Sequence, residues 1–243
     1  MSKYYMTNGT EISRECFIET FNKEYFLGNA KSVPRISQNS RFAEEYIERI
    51  LRYGIKEPVD VYRIMAWKVG KIRHADTDTN QSLVYASNWI DAEKGVVRNY
   101  RYQLDMRSFA EGIVSNIKML EKMAENDPQG VLQNLKDGVV RAPNGIGTVY
   151  LLTLLYFISR GKWPIYDRFA MMALLAIETG KKPGEQVSFS DLPEKNSEDF
   201  DTVMNLCKQR YISKLEMIFG KNYNDNRDVD RALWVYGHLF KRI

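Results

Sequence analysis

Residues 131–170 read VLQNLKDGVVRAPNGIGTVYLLTLLYFISRGKWPIYDRFA, and this stretch decides the fold. Its first part, Val131 to Arg141, places Val131, Leu132, Leu135, Val139 and Val140 near helical spacing, so an amphipathic helix is expected there. Pro143-Asn144-Gly145-Ile146-Gly147 then breaks it. Glycines at 145 and 147 permit backbone angles that a residue carrying a Cβ avoids, which suits a tight hairpin. A second helix is expected from Thr148 to Ser159. The run from Val149 to Ile158 is apolar on nearly every face, yet shorter than the roughly 20 residues that span a bilayer. It reads as the buried central helix of a soluble domain. Gly161-Lys162-Trp163-Pro164 forces another break, and Asp167 stands at the mouth of a third helix.

Working outward, helical patterns dominate. Thr10 is placed to cap a helix running to about Phe26, and a second helix is expected over 40–53, stopped by Gly54. Pro58 opens a third, with Val61, Ile64, Met65, Val69 and Ile72 facing inward. Residues 82–90 read as helical, while Val96 to Leu104 alternates enough for a short strand. Arg107 to Glu125 reads as one helix ended by Asp127-Pro128. Past Asp167 a helix to Thr179 presents Phe169, Met172, Ala173 and Ala176 as a core face. Residues 180–199 form a long polar loop, and two helices are expected over 202–219 and 228–241. The expected class is all-α with room for one short strand or hairpin. The 243 residues can bury one helical domain or two interlocked lobes.

Composition is that of a globular protein, with 44% hydrophobic and 27% charged residues. A net charge of +4 excludes a simple polycation but allows a local basic face. Seven basic against two acidic residues between Arg49 and Arg73 mark either such a face or a solvated helical surface. Lys3, Glu11, Arg14 and Glu15 interrupt the N-terminal apolar residues, so no secretory or membrane segment is read there, and a reducing, cytoplasmic location is expected. Asp76-Thr77-Asp78-Thr79-Asn80 imitates a calcium loop, but Gln81 and Ser87 stand where glycine and glutamate are required, so calcium is rejected. His74 and His238 are solitary in sequence. No metal, no cofactor and no histidine-based triad is expected.

A helix, a glycine hairpin, a second helix and a carboxylate 22 residues after Gly145 together resemble the helix-hairpin-helix superfamily of DNA glycosylases, close to its 8-oxoguanine and alkylpurine branches. The matching residues are Gly145-Ile146-Gly147-Thr148 and Pro164-Ile165-Tyr166-Asp167. The unit covers 131–159, followed by the Asp167 segment 160–170. The resemblance implies a DNA repair enzyme that flips out a damaged or modified base and cleaves its N-glycosidic bond. Bifunctional members carry a lysine after the hairpin, and here that position is Val149, so the resemblance implies a monofunctional enzyme working by hydrolysis. With only Cys16 and Cys207, the iron–sulfur cluster of some relatives is excluded.

The candidate residues follow from the chemistry. Asn144, Gly145, Ile146, Gly147 and Thr148 would present helix N-terminal amides to a DNA phosphate, without reading sequence. Asp167 is the candidate catalytic carboxylate, since an ionised carboxylate stabilises positive charge on the sugar and can orient or deprotonate water. The plainer reading is that Asp167 caps its helix. Tyr150, Trp163 and Tyr166 are candidates for a base pocket, although aromatics at this density commonly fill a core. The expected partner is DNA, with no membrane and no obligate protein partner. Two other readings stay open: a non-catalytic helix-hairpin-helix DNA-binding module, and a helical protein-interaction protein.

Overall fold

The computed structural model describes residues 2–27, 40–68, 72–74, 83–85, 90–91, 95–98, 103–188, 205, 207–223 and 227–242. In chain order these form β1 (Tyr4–Tyr5), β2 (Glu11–Ile12), α1 (Arg14–Leu27), α2 (Ser40–Tyr53), α3 (Pro58–Lys68), β3 (Ile72–His74), β4 (Leu83–Tyr85) and β5 (Ile90–Asp91). There follow β6 (Val96–Arg98), β7 (Gln103–Asp105), α4 (Arg107–Ser115), α5 (Ile117–Asn126), α6 (Pro128–Asp137) and α7 (Thr148–Ile158). The chain continues through α8 (Arg168–Thr179), β8 (Gln186–Val187), a π-helical turn (Cys207–Ile212), α9 (Ser213–Phe219), α10 (Asp228–Gly237) and β9 (Lys241–Arg242). The protein is mainly helical, as its periodicity predicts, with short strand pairs added. It divides into two compact units: a terminal unit of 1–38 and 164–243, and an inserted unit of 39–163.

In the inserted unit α7 is the core. Every residue from Leu151 to Ile158 is buried, because a helix apolar on all sides has no face to give to water. Each large side chain so buried contributes about 1.5–3 kcal/mol. Helices α2, α3, α5 and α6 pack around it, and Trp67 of α3 meets Phe157 edge-on at 5.9 Å. Thr153, wholly buried, donates its Oγ1 proton to the Val149 carbonyl at 3.0 Å, so its hydroxyl is not left stranded. Past the helix, Arg160 holds a left-handed φ of 54°. Its guanidinium reaches Glu121 at 2.6 Å and the Arg52 carbonyl at 3.0 Å, tying the end of α7 to two other segments.

Several expectations change here. Residues 83–85 and 90–91 are strands, not helix: β3 pairs antiparallel with β4, and β5–β6–β7 form an antiparallel sheet. Ile72 is therefore in a strand rather than on the inner face of α3, whereas Val69 and the calcium-like segment 76–81 lie outside the described residues. The helix expected over Arg107–Glu125 breaks at Asn116, whose side chain donates to the Gly112 carbonyl at 2.8 Å and competes with the backbone ladder. Asp127-Pro128 ends α5 and also starts α6, with proline at the first helical position and Asp127 accepting from the Gly130 amide at 2.8 Å. Helix α6 stops at Asp137, so Val139 is 68% exposed instead of lining the core.

In the terminal unit α10 is flanked by α1 and α8. Phe17 and Phe21 of α1 pack their rings on Tyr236 at 5.0 and 4.9 Å. The contact with α8 depends on a glycine: a Cβ on Gly237 would fall 1.9 Å from the Phe169 carbonyl oxygen, so α8 and α10 approach backbone to backbone. The helix expected from Thr10 starts at Arg14, because Glu11–Ile12 pairs with Tyr4–Tyr5; Ser13, not Thr10, accepts from the Cys16 amide at 3.2 Å. Of the two C-terminal helices, the first is described only at 205 and from Cys207 on, and the second is shorter than expected. The first is there a π-helical turn followed by α9, and α10 ends at Gly237 before β9 pairs in parallel with β8. The loop 180–199 is described only to residue 188.

Candidate functional site

The hairpin lies in the inserted unit, between α6 and α7. The Ala142 amide donates back to the Leu135 carbonyl at 2.9 Å, and Ile146 donates to the Pro143 carbonyl at 3.2 Å, closing a four-residue turn. Its third residue is Gly145, with φ 99°, the left-handed value that such a turn demands of glycine. Gly147 differs from what its sequence suggests. Its φ of −79° and ψ of 162° are ordinary extended values that any residue adopts. What it supplies is bareness: nothing lies within 4 Å of where its Cβ would be, and no side chain caps α7. The helix's own bonds begin only with the Tyr150 and Leu151 amides, which reach the Gly147 carbonyl at 2.9 and 3.4 Å. Thr148 and Val149 precede that ladder, at the positive end of the helix. Asn144, Gly145 and Gly147 are exposed, and Ile146 and Thr148 partly so.

Asp167 lies in the terminal unit, extended at φ −140° and ψ 139°, as the N-cap of α8. Its Oδ1 accepts from the Phe169 amide at 2.8 Å, and its carbonyl accepts from Met171 at 3.0 Å. It is half-buried. Before it, Ile165 and Tyr166 are buried, and the Tyr166 ring meets Tyr211 edge-on at 5.3 Å. Burial, then the nearby Cys207 and Asp167, holds the Tyr166 hydroxyl far above its ordinary pKa. Burial also pushes the Cys207 thiol up to about 12, which leaves it protonated and inert at neutral pH.

The sequence candidates thus fall in two places. Residues 144–148, Tyr150 and Trp163 belong to the inserted unit; Tyr166 and Asp167 belong to the terminal unit. Tyr150 is half-buried in the first turn of α7, and Trp163 is half-buried with its amide donating to Ser159 Oγ at 3.0 Å. Tyr166 packs into its unit's core against Tyr211. Among the described residues, no three His, Cys, Asp or Glu side chains converge as metal ligands, and no helix is long and apolar enough to cross a membrane.

One residue that looked solitary in sequence is close to Asp167's helix. His238 stacks on Phe169 with ring centroids 3.5 Å apart and planes 21° from parallel. Its Nδ1 lies 2.7 Å from the Trp234 carbonyl, and its ring also meets Trp234 at 4.3 Å. Burial lowers its pKa below 6.5, the Trp234 hydrogen bond and the Asp167 charge oppose that shift, and Arg168 adds to it. Sequence reading missed the pairing because Phe169 and His238 are far apart in the chain, and no local pattern links them. Neither a known family model, nor a curated protein, nor a solved structure matches the chain.

Proposed function

We propose that this protein is a helix-hairpin-helix DNA glycosylase that flips out a damaged or modified base and releases it by hydrolysis. The observation that carries the reading is the start of α7: a glycine turn delivering a helix N-terminus with no side-chain cap, whose N-cap glycine leaves open space around it. Helix amides at such an end favour a phosphate oxygen, and a side chain at 147 would hold the strand away. The contact is indifferent to base sequence, as a repair enzyme's search requires. Asp167 supplies the second part. Breaking the N-glycosidic bond builds positive charge on the sugar, which a fixed carboxylate stabilises. Val149, half-buried in the first turn of α7, has no amine with which to form a Schiff base, so water is the nucleophile. A cytoplasmic location belongs to the same reading, since the substrate would be intracellular DNA.

A second reading, a DNA-binding module without chemistry, draws on the Asp167–Phe169 capping bond, which gives the carboxylate a structural use. One experiment separates the two. Duplexes each carrying a single modified base are incubated with the protein and with Asp167→Asn, and free base is measured. The wild type should release a base and leave an intact abasic strand that breaks only after alkali, borohydride should trap almost no protein–DNA adduct, and Asp167→Asn should bind DNA but release almost nothing. Efficient borohydride trapping would show an amine nucleophile and refute the hydrolytic mechanism. Binding without release from any duplex would favour the module.

A further inference from the structure

We propose that His238 is the general base of this glycosylase, its Nε2 taking the proton of the attacking water while the Asp167 carboxylate stabilises the charge on the sugar. The inference rests on the glycosylase reading and adds to it the group that activates water. A carbonyl oxygen can only accept, so the 2.7 Å contact between Nδ1 and the Trp234 carbonyl places the ring proton on Nδ1. In the neutral ring Nε2 then carries a lone pair. Among the described residues none hydrogen-bonds Nε2, so the fold makes no use of it.

Phe169 is the shared anchor. Its amide holds Asp167 at 2.8 Å, and its ring holds the imidazole at 3.5 Å, so a single residue positions both groups. Gly237, next in the chain to His238, permits the backbone approach that brings the ring there. Among the described residues, the charges that reach the imidazole are Asp167 and Arg168, both at the start of α8. Helix α1, which also packs against α10, contributes the uncharged Tyr25 against Trp234. Asp167 favours the imidazolium that forms during the reaction, and burial keeps the resting ring neutral at pH 7, the state a base requires. The step balances: water oxygen bonds to the sugar's C1′, and the C1′–N bond breaks with its electron pair leaving on the base nitrogen. The water proton passes to Nε2 and returns to the departing base or to solvent.

The test has two arms. In wild-type protein, two-bond ¹⁵N–¹H spectra, with His74→Gln to assign the two histidines, should show His238 neutral at pH 7 with its proton on Nδ1. A proton on Nε2 at pH 7 would overturn the proposal however the variants behave. In the second arm, single-turnover base release is measured against pH for wild type, His238→Gln and His238→Asn on the duplex panel. Glutamine and asparagine keep hydrogen-bonding capacity but cannot take a proton, so release at pH 7 should fall about 10²-fold. DNA affinity should be unchanged, and the acid limb set by the imidazole should disappear. Wild-type release with the same rate and pH profile in a folded His238→Gln protein would overturn the role of His238 alone. No release by the wild type from any duplex would overturn the glycosylase reading and this proposal together.

Discussion

Helices α7 and α8 begin 20 residues apart, each after a forced break, and their first turns are finished in opposite ways. At α7 the N-cap is Gly147, with no side chain and nothing within 4 Å of its Cβ position. At α8 the N-cap is Asp167, whose carboxylate closes on the Phe169 amide. The first arrangement leaves backbone donors available to something outside the chain. The second satisfies one of its own donors and leaves a negative charge. An open positive end suits an anion, and a fixed carboxylate suits a developing cation. The difference lies in one side chain.

The largest expected effect tests whether that carboxylate is more than a cap. Asparagine caps a helix about as well as aspartate, whereas alanine costs about 1 kcal/mol. Asp167→Asn should therefore leave the urea midpoint unchanged, and Asp167→Ala should lower it, while both should slow base release about 10³-fold, as loss of a charge-stabilising group does. Equal release by wild type and Asp167→Asn would reduce the residue to its cap.

Next in size is the support beneath α8. Gly237→Ala must push a methyl group into the Phe169 carbonyl, and the backbones of α8 and α10 must part. A loss of about 2–3 kcal/mol in unfolding free energy is expected, measured by urea denaturation. An unchanged midpoint would mean that the two helices are free to separate.

A smaller effect comes from making α7 begin as α8 does. Gly147→Asp gives α7 a carboxylate cap in open space, so the fold should be as stable as wild type or slightly more so. DNA affinity should drop about tenfold or more. The slope of log affinity against log salt should shrink by about 0.9, the amount expected when the protein neutralises one phosphate fewer. Unaltered affinity in the folded variant would end the proposed phosphate role of the hairpin.

The smallest effect concerns pH. The folded-state pKa of His238 lies below its ordinary value, chiefly through burial, so the unfolded chain binds the proton more readily. The stability this contributes is present above pH 6.5 and is lost as pH falls through the folded-state value. Urea midpoints at about pH 7.5 and about pH 5.5 should differ in that direction, and less so in His238→Gln. An identical difference in the variant would show that another group titrates.

Much of the hairpin unit was legible because its signals are local. Pro143, Gly145 and Pro164 act on their own backbone, and aspartate before a helix caps it by reaching two residues along. The failures share a different cause. Asn116 breaks a strongly periodic helix through a side-chain bond that periodicity does not register. Residues 83–85 become strand because 72–74 pairs with them. Val139 keeps helical spacing but lies beyond the helix's last turn. In the first two cases an interaction with a particular partner outweighed a modest intrinsic preference, and in the third the helix simply ended first.

The sequence alone determined that the stretch from Thr148 to about Ser159 would be a helix buried over most of its length, since a nearly continuous apolar run offers no solvent face, and that Asp167 would open the helix after it. Tertiary structure alone decided what surrounds that carboxylate. Tyr166 is buried against Tyr211, and His238 is laid on Phe169 by a glycine that lets two backbones meet. Those neighbours arrive from distant segments of the chain. Their approach is set by packing of whole helices, a quantity that no stretch of chain carries by itself.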